Sequence, residues 1–369
     1  MDDKSSAVLK ADAELNLKRG RPQSLEAWTI VREQSGQHFI ERTDDRNERY
    51  RAPDGGNFVE GVAQPPFVKQ KGWQLKRQSL DRINKDGDVW VATFPKCGTT
   101  LMEQIVLLLW NDGDSQKLNP RGKNTYDFTT GVGKVWVEKD VTINGIGGKG
   151  DGKGDGKGSP DEMPVEKFSQ ILAPRLLKTH APRQMFLGVR SVKTPSLSAS
   201  GYWEPVREGT KVIYVARNAK DACVSAYYHA SNPYKSGWPF DAWAKTWLSG
   251  LFESGRWSDH VLAWRAESLM NPEQVLWVRY EDLLADPAAQ IRRVAEFIGI
   301  ARVTDELVEK TARASCFEQM KAQSGNAAHM RQGKAGDSAT HFASDLKAAF
   351  DKEVLEQLKG GSADLRDML

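Results

Sequence analysis

The stretch VWVATFPKCGTTLMEQIVLLLW, residues 89–110, changes character halfway along. Val89–Phe94 is an apolar run rich in β-branched residues, with the length of a strand buried on both faces, and the residues after Gly98 form an apolar run of helical length. Pro95, Lys96 and Gly98 stand between them, followed by Thr99 and Thr100. At a strand-to-helix bend, unpaired backbone N–H groups point outward and the helix dipole favours an anion. Gly98 would let the backbone approach a phosphate closely, Lys96 would supply a point charge, and the threonine hydroxyls would donate further hydrogen bonds. A tight turn whose threonines merely cap the helix would use the same residues. The Walker A order GxxxxGK[ST] is absent, because the lysine precedes the glycine and the first glycine is missing.

Two more apolar runs of strand length lie downstream, Val212–Ala216 and Gln274–Arg279, each followed by a helix-type segment. Asp286 before Pro287 makes a helix start, with Ile291, Val294, Ala295 and Ile298 recurring on one face. Thr304 and Ser344 mark two further starts, the last helix ending at the glycine pair 360–361. Alternating strands and helices predict an α/β fold, with a mainly parallel central sheet flanked by helices. We expect one such domain over residues 71–369. Residues 1–70, polar and mixed in sign, read as an N-terminal extension or irregular arm.

The glycine-lysine-aspartate repeat over about 145–160 contains a formal GxGxxG at Gly145, Gly147 and Gly150. A dinucleotide fingerprint must open a helix, and this one runs into more glycine and then proline, so it reads as a surface insertion.

The 369 residues carry 52 basic and 49 acidic side chains, and a net charge of +3 is too small to draw nucleic acid by bulk electrostatics. Any anion site must be local. Cys97, Cys223 and Cys316 are widely separated without metal-ligand spacing, which favours a reducing compartment. The N-terminus lacks the apolar core of a signal peptide, and the longest clean apolar run, Ile105–Trp110, is far too short for a bilayer. The expectation is a cytoplasmic protein that contacts no membrane.

The order PKCGTT between strand and helix resembles the 5′-phosphosulfate loop of the sulfotransferases that use 3′-phosphoadenosine-5′-phosphosulfate (PAPS), in particular the cytosolic branch. Further segments follow in the family's order: PRLLKTHAP (174–182), VIYVARNAKDACVSAYYH (212–229), GRWSDHVLAW (255–264), VRYEDLLADPAAQIRRVAEFIGI (278–300), SCFEQMK and RQGKAGD. The resemblance covers roughly residues 73–350. It implies a P-loop-like architecture and an enzyme that moves the sulfuryl group in line from PAPS to a hydroxyl or amine of a small-molecule acceptor, leaving PAP and needing no metal. His180 would be the general base, Lys96 would stabilise charge on the leaving oxygen, and Lys178 would hold the sulfonate or help position the acceptor. The 5′-phosphate would lie on Cys97, Gly98, Thr99, Thr100 and Leu101 after Lys96. The 3′-phosphate would lie on Arg217 and Ser225, closed over by Arg331, Gln332 and Gly333. Tyr280, Cys316 and Phe317 match adenine contacts.

The chain also departs from the family. Leu101 stands where a tryptophan commonly stacks on adenine, Gln332 replaces a basic residue, and Ser338 replaces a tryptophan. The dimerisation segment KxxxTVxxxE would start at Ala339, and none of its diagnostic positions is kept, which predicts a monomer or a different dimer. Phe186, Leu187, Tyr202 and Trp203, in a long segment after His180, either line an acceptor pocket or anchor the loop. Two rival readings remain: a P-loop-type kinase, against which the arginine after VIYVA argues, and a nucleotide-binding protein of this fold without catalysis, which intact Lys96 and His180 argue against.

Overall fold

The charge-dense N-terminal stretch is folded rather than irregular. In a computed structural model that describes residues 23–369 apart from 46, 54–56, 66–67, 119–132, 145, 147–162, 190–203, 230–232 and 324–330, strands β1 (Trp28–Arg32), β2 (His38–Arg42) and β3 (Arg49–Arg51) form an antiparallel sheet. Its charges pair between neighbouring segments, Arg49 reaching Glu33 at 2.6 Å and Glu41 at 3.0 Å. Such pairs add little individually. Burial holds the sheet down: Trp28 and Ile40 belong to the main core, and the Tyr50 ring lies 5.2 Å from that of Trp238. An irregular arm over 1–70 is therefore corrected for these strands. The glycine-lysine repeat lies, but for Ile146, outside the described residues.

The central sheet comprises β4 (Val89–Thr93), β5 (Lys134–Trp136), β6 (Leu176–Thr179), β7 (Lys211–Ala216) and β8 (Val275–Arg279). Its order is β8-β7-β4-β6-β5 and every pairing is parallel. Side chains alternate across a strand, so an unbroken apolar run must feed two cores. Trp90 and Ala92 of β4 and Tyr214 and Ala216 of β7 enter one core; Val89 and Val91, Ile213 and Val215 enter the other.

The longer helices are α1 (Thr99–Trp110), α2 (Ala219–Tyr227), α3 (Phe240–Leu248), α4 (Trp257–Met270), α5 (Pro287–Phe297), α6 (Asp305–Ala314) and α7 (Ser344–Gln357). Asp286 caps α5 by accepting the Ala289 N–H at 3.0 Å, and Thr304 caps α6 by accepting that of Leu307 at 3.1 Å. At α7 the cap position is Ala343, one residue earlier than the serine suggested, and Ser344 is already helical. Among the described residues no helix is long and apolar enough to cross a membrane.

From β4 the chain builds β5 and β6 on one side, then crosses to build β7 and β8 on the other. That reversal leaves a crevice beyond the carboxyl end of β4, where open α/β sheets bind ligands.

Candidate functional site

Three neighbouring strands deliver the site. After β4 the chain turns through Lys96, at φ 71°, and Gly98, at φ 100°, into α1. The Met102 N–H donates to the Gly98 carbonyl at 3.1 Å, so the N–H groups ahead of it have no carbonyl to meet within the helix. A Cβ on Gly98 would come within 2.6 Å of the Tyr280 ring. Thr100 and Leu101 face the cavity. Thr99 also borders it, but its hydroxyl sits 2.6 Å from that of Thr93 and braces the turn. Cys97 does not reach the cavity. Its side chain is fully buried in the main core, where burial pushes the thiol up to about 12, and its N–H turns back to the Phe94 carbonyl.

β6 ends one residue before His180. Nδ1 of His180 lies 2.9 Å from the Thr93 carbonyl oxygen, and a carbonyl can only accept, so Nδ1 carries the proton and Nε2 is the basic nitrogen. Burial, and then the charge of Lys178, hold the imidazole well below its ordinary range. The Trp136 ring meets His180 edge-on, centroids 5.2 Å apart, and also carries Lys178 Nζ 4.2 Å from its centroid. Burial and the neighbouring Lys134 lower Lys178 to about 8. Lys96 is lowered to about 8 as well, by burial and then by Arg217, and its Nζ is 3.1 Å from Nδ1 of His229.

Arg217 follows β7. It donates from Nη1 to the Lys96 carbonyl and from Nη2 to the Lys334 carbonyl, both at 3.1 Å, and lies over the Tyr280 ring at 4.5 Å. Asp221 stands 4.0 Å away and instead accepts the N–H groups of Gly336 and Ser338, so Arg217 is not simply a partner for a carboxylate. Nε of Arg217 is buried without a hydrogen-bond partner among the described residues, a donor awaiting an acceptor. Ser225, Arg331, Gln332 and Gly333 gather around the same space with Tyr280, Cys316 and Phe317. Arg331 pairs with Asp337 and covers the Tyr228 ring at 4.6 Å. Gly333, at φ 63°, leaves the space in which a Cβ would strike the Phe317 ring at 2.1 Å.

These residues line one cavity of about 990 Å³. Among the described residues seven lysines and arginines border it against three carboxylates, so a nearly neutral chain concentrates positive charge at the strand ends. Phe186 and Leu187 are core residues, Phe186 packing 5.0 Å from both Trp90 and Trp264, and so anchor their segment. Tyr202 and Trp203 lie outside the described residues. Sequence reasoning gave no role to Thr93, Trp136, His229 and Glu253; Thr93 and His229 lie in the segments 89–110 and 212–229 already singled out, and Trp136 and Glu253 reach the site by tertiary contact from segments with no local signature.

Comparison with known proteins gives a consistent result. The sulfotransferase domain family model matches residues 86–362. Sulfotransferase 1C2 of Homo sapiens is 28% identical, covering 82% of this chain and 93% of its own length, and sulfotransferase 1E1 of Cavia porcellus is 26% identical, covering 76% and 86%. Among solved structures, mouse sulfotransferase SULT7A1 complexed with PAP superimposes with a TM-score of 0.54 at 20% identity, covering 84% of this chain and 95% of its own. Retinol dehydratase in complex with androsterone and inactive cofactor PAP gives 0.57 at 17%, covering 95% of each chain.

Proposed function

This chain belongs to the sulfotransferase family and is a PAPS-dependent enzyme acting on small-molecule acceptors; we propose that His180, Lys96 and Lys178 carry the transfer while Arg217 and the loop 331–334 select the donor. The observation that carries this assignment is the convergence of Lys96, His180 and Arg217 from the ends of three adjacent parallel strands onto one basic cavity.

The donor carries an anionic, tetrahedral sulfonate joined through a bridging oxygen to its 5′-phosphate, and the sulfonate flattens towards trigonal SO₃ as it is transferred. The residues present suit it. The N–H groups at the start of α1 and the Thr100 hydroxyl offer donors to the 5′-phosphate, with Gly98 giving close approach. Arg217, with its unpartnered Nε–H, and Ser225, Arg331, Gln332 and Gly333 surround a place for the 3′-phosphate. Leu101, Tyr280, Cys316 and Phe317 would border the adenine by apolar contact.

His180 Nε2 then takes the proton of the acceptor hydroxyl or amine as its oxygen or nitrogen bonds to sulfur and the bond from sulfur to the bridging oxygen breaks. The electron pair stays with the departing phosphate, and Lys96 meets the charge that grows there. Lys178 steadies the sulfonate. The Thr93 carbonyl keeps His180 in the tautomer this requires. The same reading carries a cytoplasmic location, no role for a metal or nucleic acid, and a monomer or a dimer unlike the family's.

Calorimetry without magnesium tests the donor assignment. Adenosine 3′,5′-bisphosphate should bind much more tightly than adenosine 5′-monophosphate or ATP. Equal or ATP-favoured binding would refute it.

A further inference from the structure

Among the described residues three carboxylates line the cavity, and two are satisfied within the protein. Asp140 accepts the Trp136 N–H at 2.9 Å, and Asp337 pairs with Arg331. Glu253, the third, makes no hydrogen bond or ion pair with any described residue.

The turn that carries Glu253 is built to aim it. Phe252 before it is buried, its ring 6.3 Å from Phe94 and 5.3 Å from Trp243. Ser254 after it is buried too, held at φ 74° with its N–H donating to the Ala63 carbonyl at 2.9 Å. Gly250 and Gly255, both at φ 80°, complete the bend. With both neighbours anchored inward, Glu253 projects into the cavity that holds His180, Lys178 and Lys96. Backbone strain of this kind persists only where surrounding contacts over-determine it. Burial also raises the Glu253 carboxyl above its ordinary range, against the pull of Lys178 and Lys96, as for a carboxylate short of donors.

We propose that Glu253 is a specificity-determining residue and that the acceptor is an amino-alcohol or aminophenol, whose protonated amine pairs with Glu253 while its hydroxyl faces His180. The inference rests on the sulfotransferase reading of the site. The basic excess of the cavity is there for the donor's phosphates and sulfonate. Once these are bound, Glu253 is a negative charge that the remaining lysines no longer balance, and an ammonium supplies both the charge and the hydrogen bonds it lacks.

Matched acceptors test it: tyramine against 4-ethylphenol, and 3-aminopropanol against 1-butanol, with PAPS and full-length protein. The charged member of a pair should show the higher kcat/KM, by about tenfold or more, as for a hydrogen bond between charged groups. Glu253→Gln should collapse that ratio by raising KM for the amine, Glu253→Asp should keep part of it, and Glu253→Lys should invert it. Bisphosphate binding by each variant reports an intact donor side. A preference for the uncharged members, or a ratio that Glu253→Gln leaves alone, would overturn the assignment. If the wild-type chain neither binds the bisphosphate nor sulfates either series, the sulfotransferase reading falls first and takes this inference with it.

Discussion

Nδ1 of His180 is held 2.9 Å from the Thr93 carbonyl, so the last residue of the central strand sets which nitrogen of a neighbouring strand's histidine is basic. His180→Ala should lower turnover by about 10²–10⁴-fold, the range for loss of a general base, while bisphosphate affinity stays near wild type. Steady-state kinetics beside calorimetry separates the two. Unchanged turnover would remove His180 from the mechanism.

The pH profile follows from the same geometry. His180 acts in its neutral form, and because burial and Lys178 hold it well below 6.5, the rate should fall on the acid side only at pH well below that value. Lys96 and Lys178 act protonated. Both are lowered to about 8, so kcat/KM for PAPS should decline as pH rises through about 8. A plateau extending to pH 10 would contradict this.

Arg217→Lys keeps a charge but cannot hold two carbonyls and a phosphate with one planar fork. Bisphosphate affinity should drop by roughly 10–100-fold, as for a lost charge-assisted hydrogen bond, and adenosine 5′-monophosphate should lose far less. Equal losses for the two nucleotides would place the 3′-phosphate elsewhere.

Gly98→Ala forces a Cβ to within 2.6 Å of the Tyr280 ring at a φ of 100°. We expect about 1–2 kcal/mol of destabilisation in urea melts, together with weaker bisphosphate binding, because the same bend presents the N–H groups of α1. Wild-type values for both would show that the turn can adjust.

Trp28→Ala probes the N-terminal sheet. A tryptophan only 2% exposed in the main core should cost about 3–5 kcal/mol on truncation. A loss under about 1 kcal/mol would mean that the sheet folds apart from the core.

Much of the framework was legible because its signals are local. Val89–Phe94 and Val212–Ala216 announce buried strands by composition and Gln274–Arg279 announces a strand, and Asp286 and Thr304 announce helices by a bond to an N–H three residues on. Lys96 and Arg217 stood out as candidates because each follows such a strand, whereas His180 follows β6 and was reached only through the family resemblance of its segment. The N-terminal sheet was hidden in a stretch dense with charges of both signs, since only the partner segments show that Arg49 meets Glu33 and Glu41. The burial of the Cys97 side chain was not legible, because residues of one turn point opposite ways and the turn's spelling does not say which. Trp136 and Glu253 carry no motif at all, and His229 closes the segment 212–229 without having been assigned a role. They become site residues only when the sheet order brings their segments beside the end of β4.

Lys96 keeps a left-handed backbone with its carbonyl fastened to Arg217. The side chain assigned to one phosphate therefore fixes the aim of the loop assigned to the other. The span between them is a gauge set by a 3.1 Å bond, and a nucleotide whose phosphates are spaced differently can engage one end only by giving up the other.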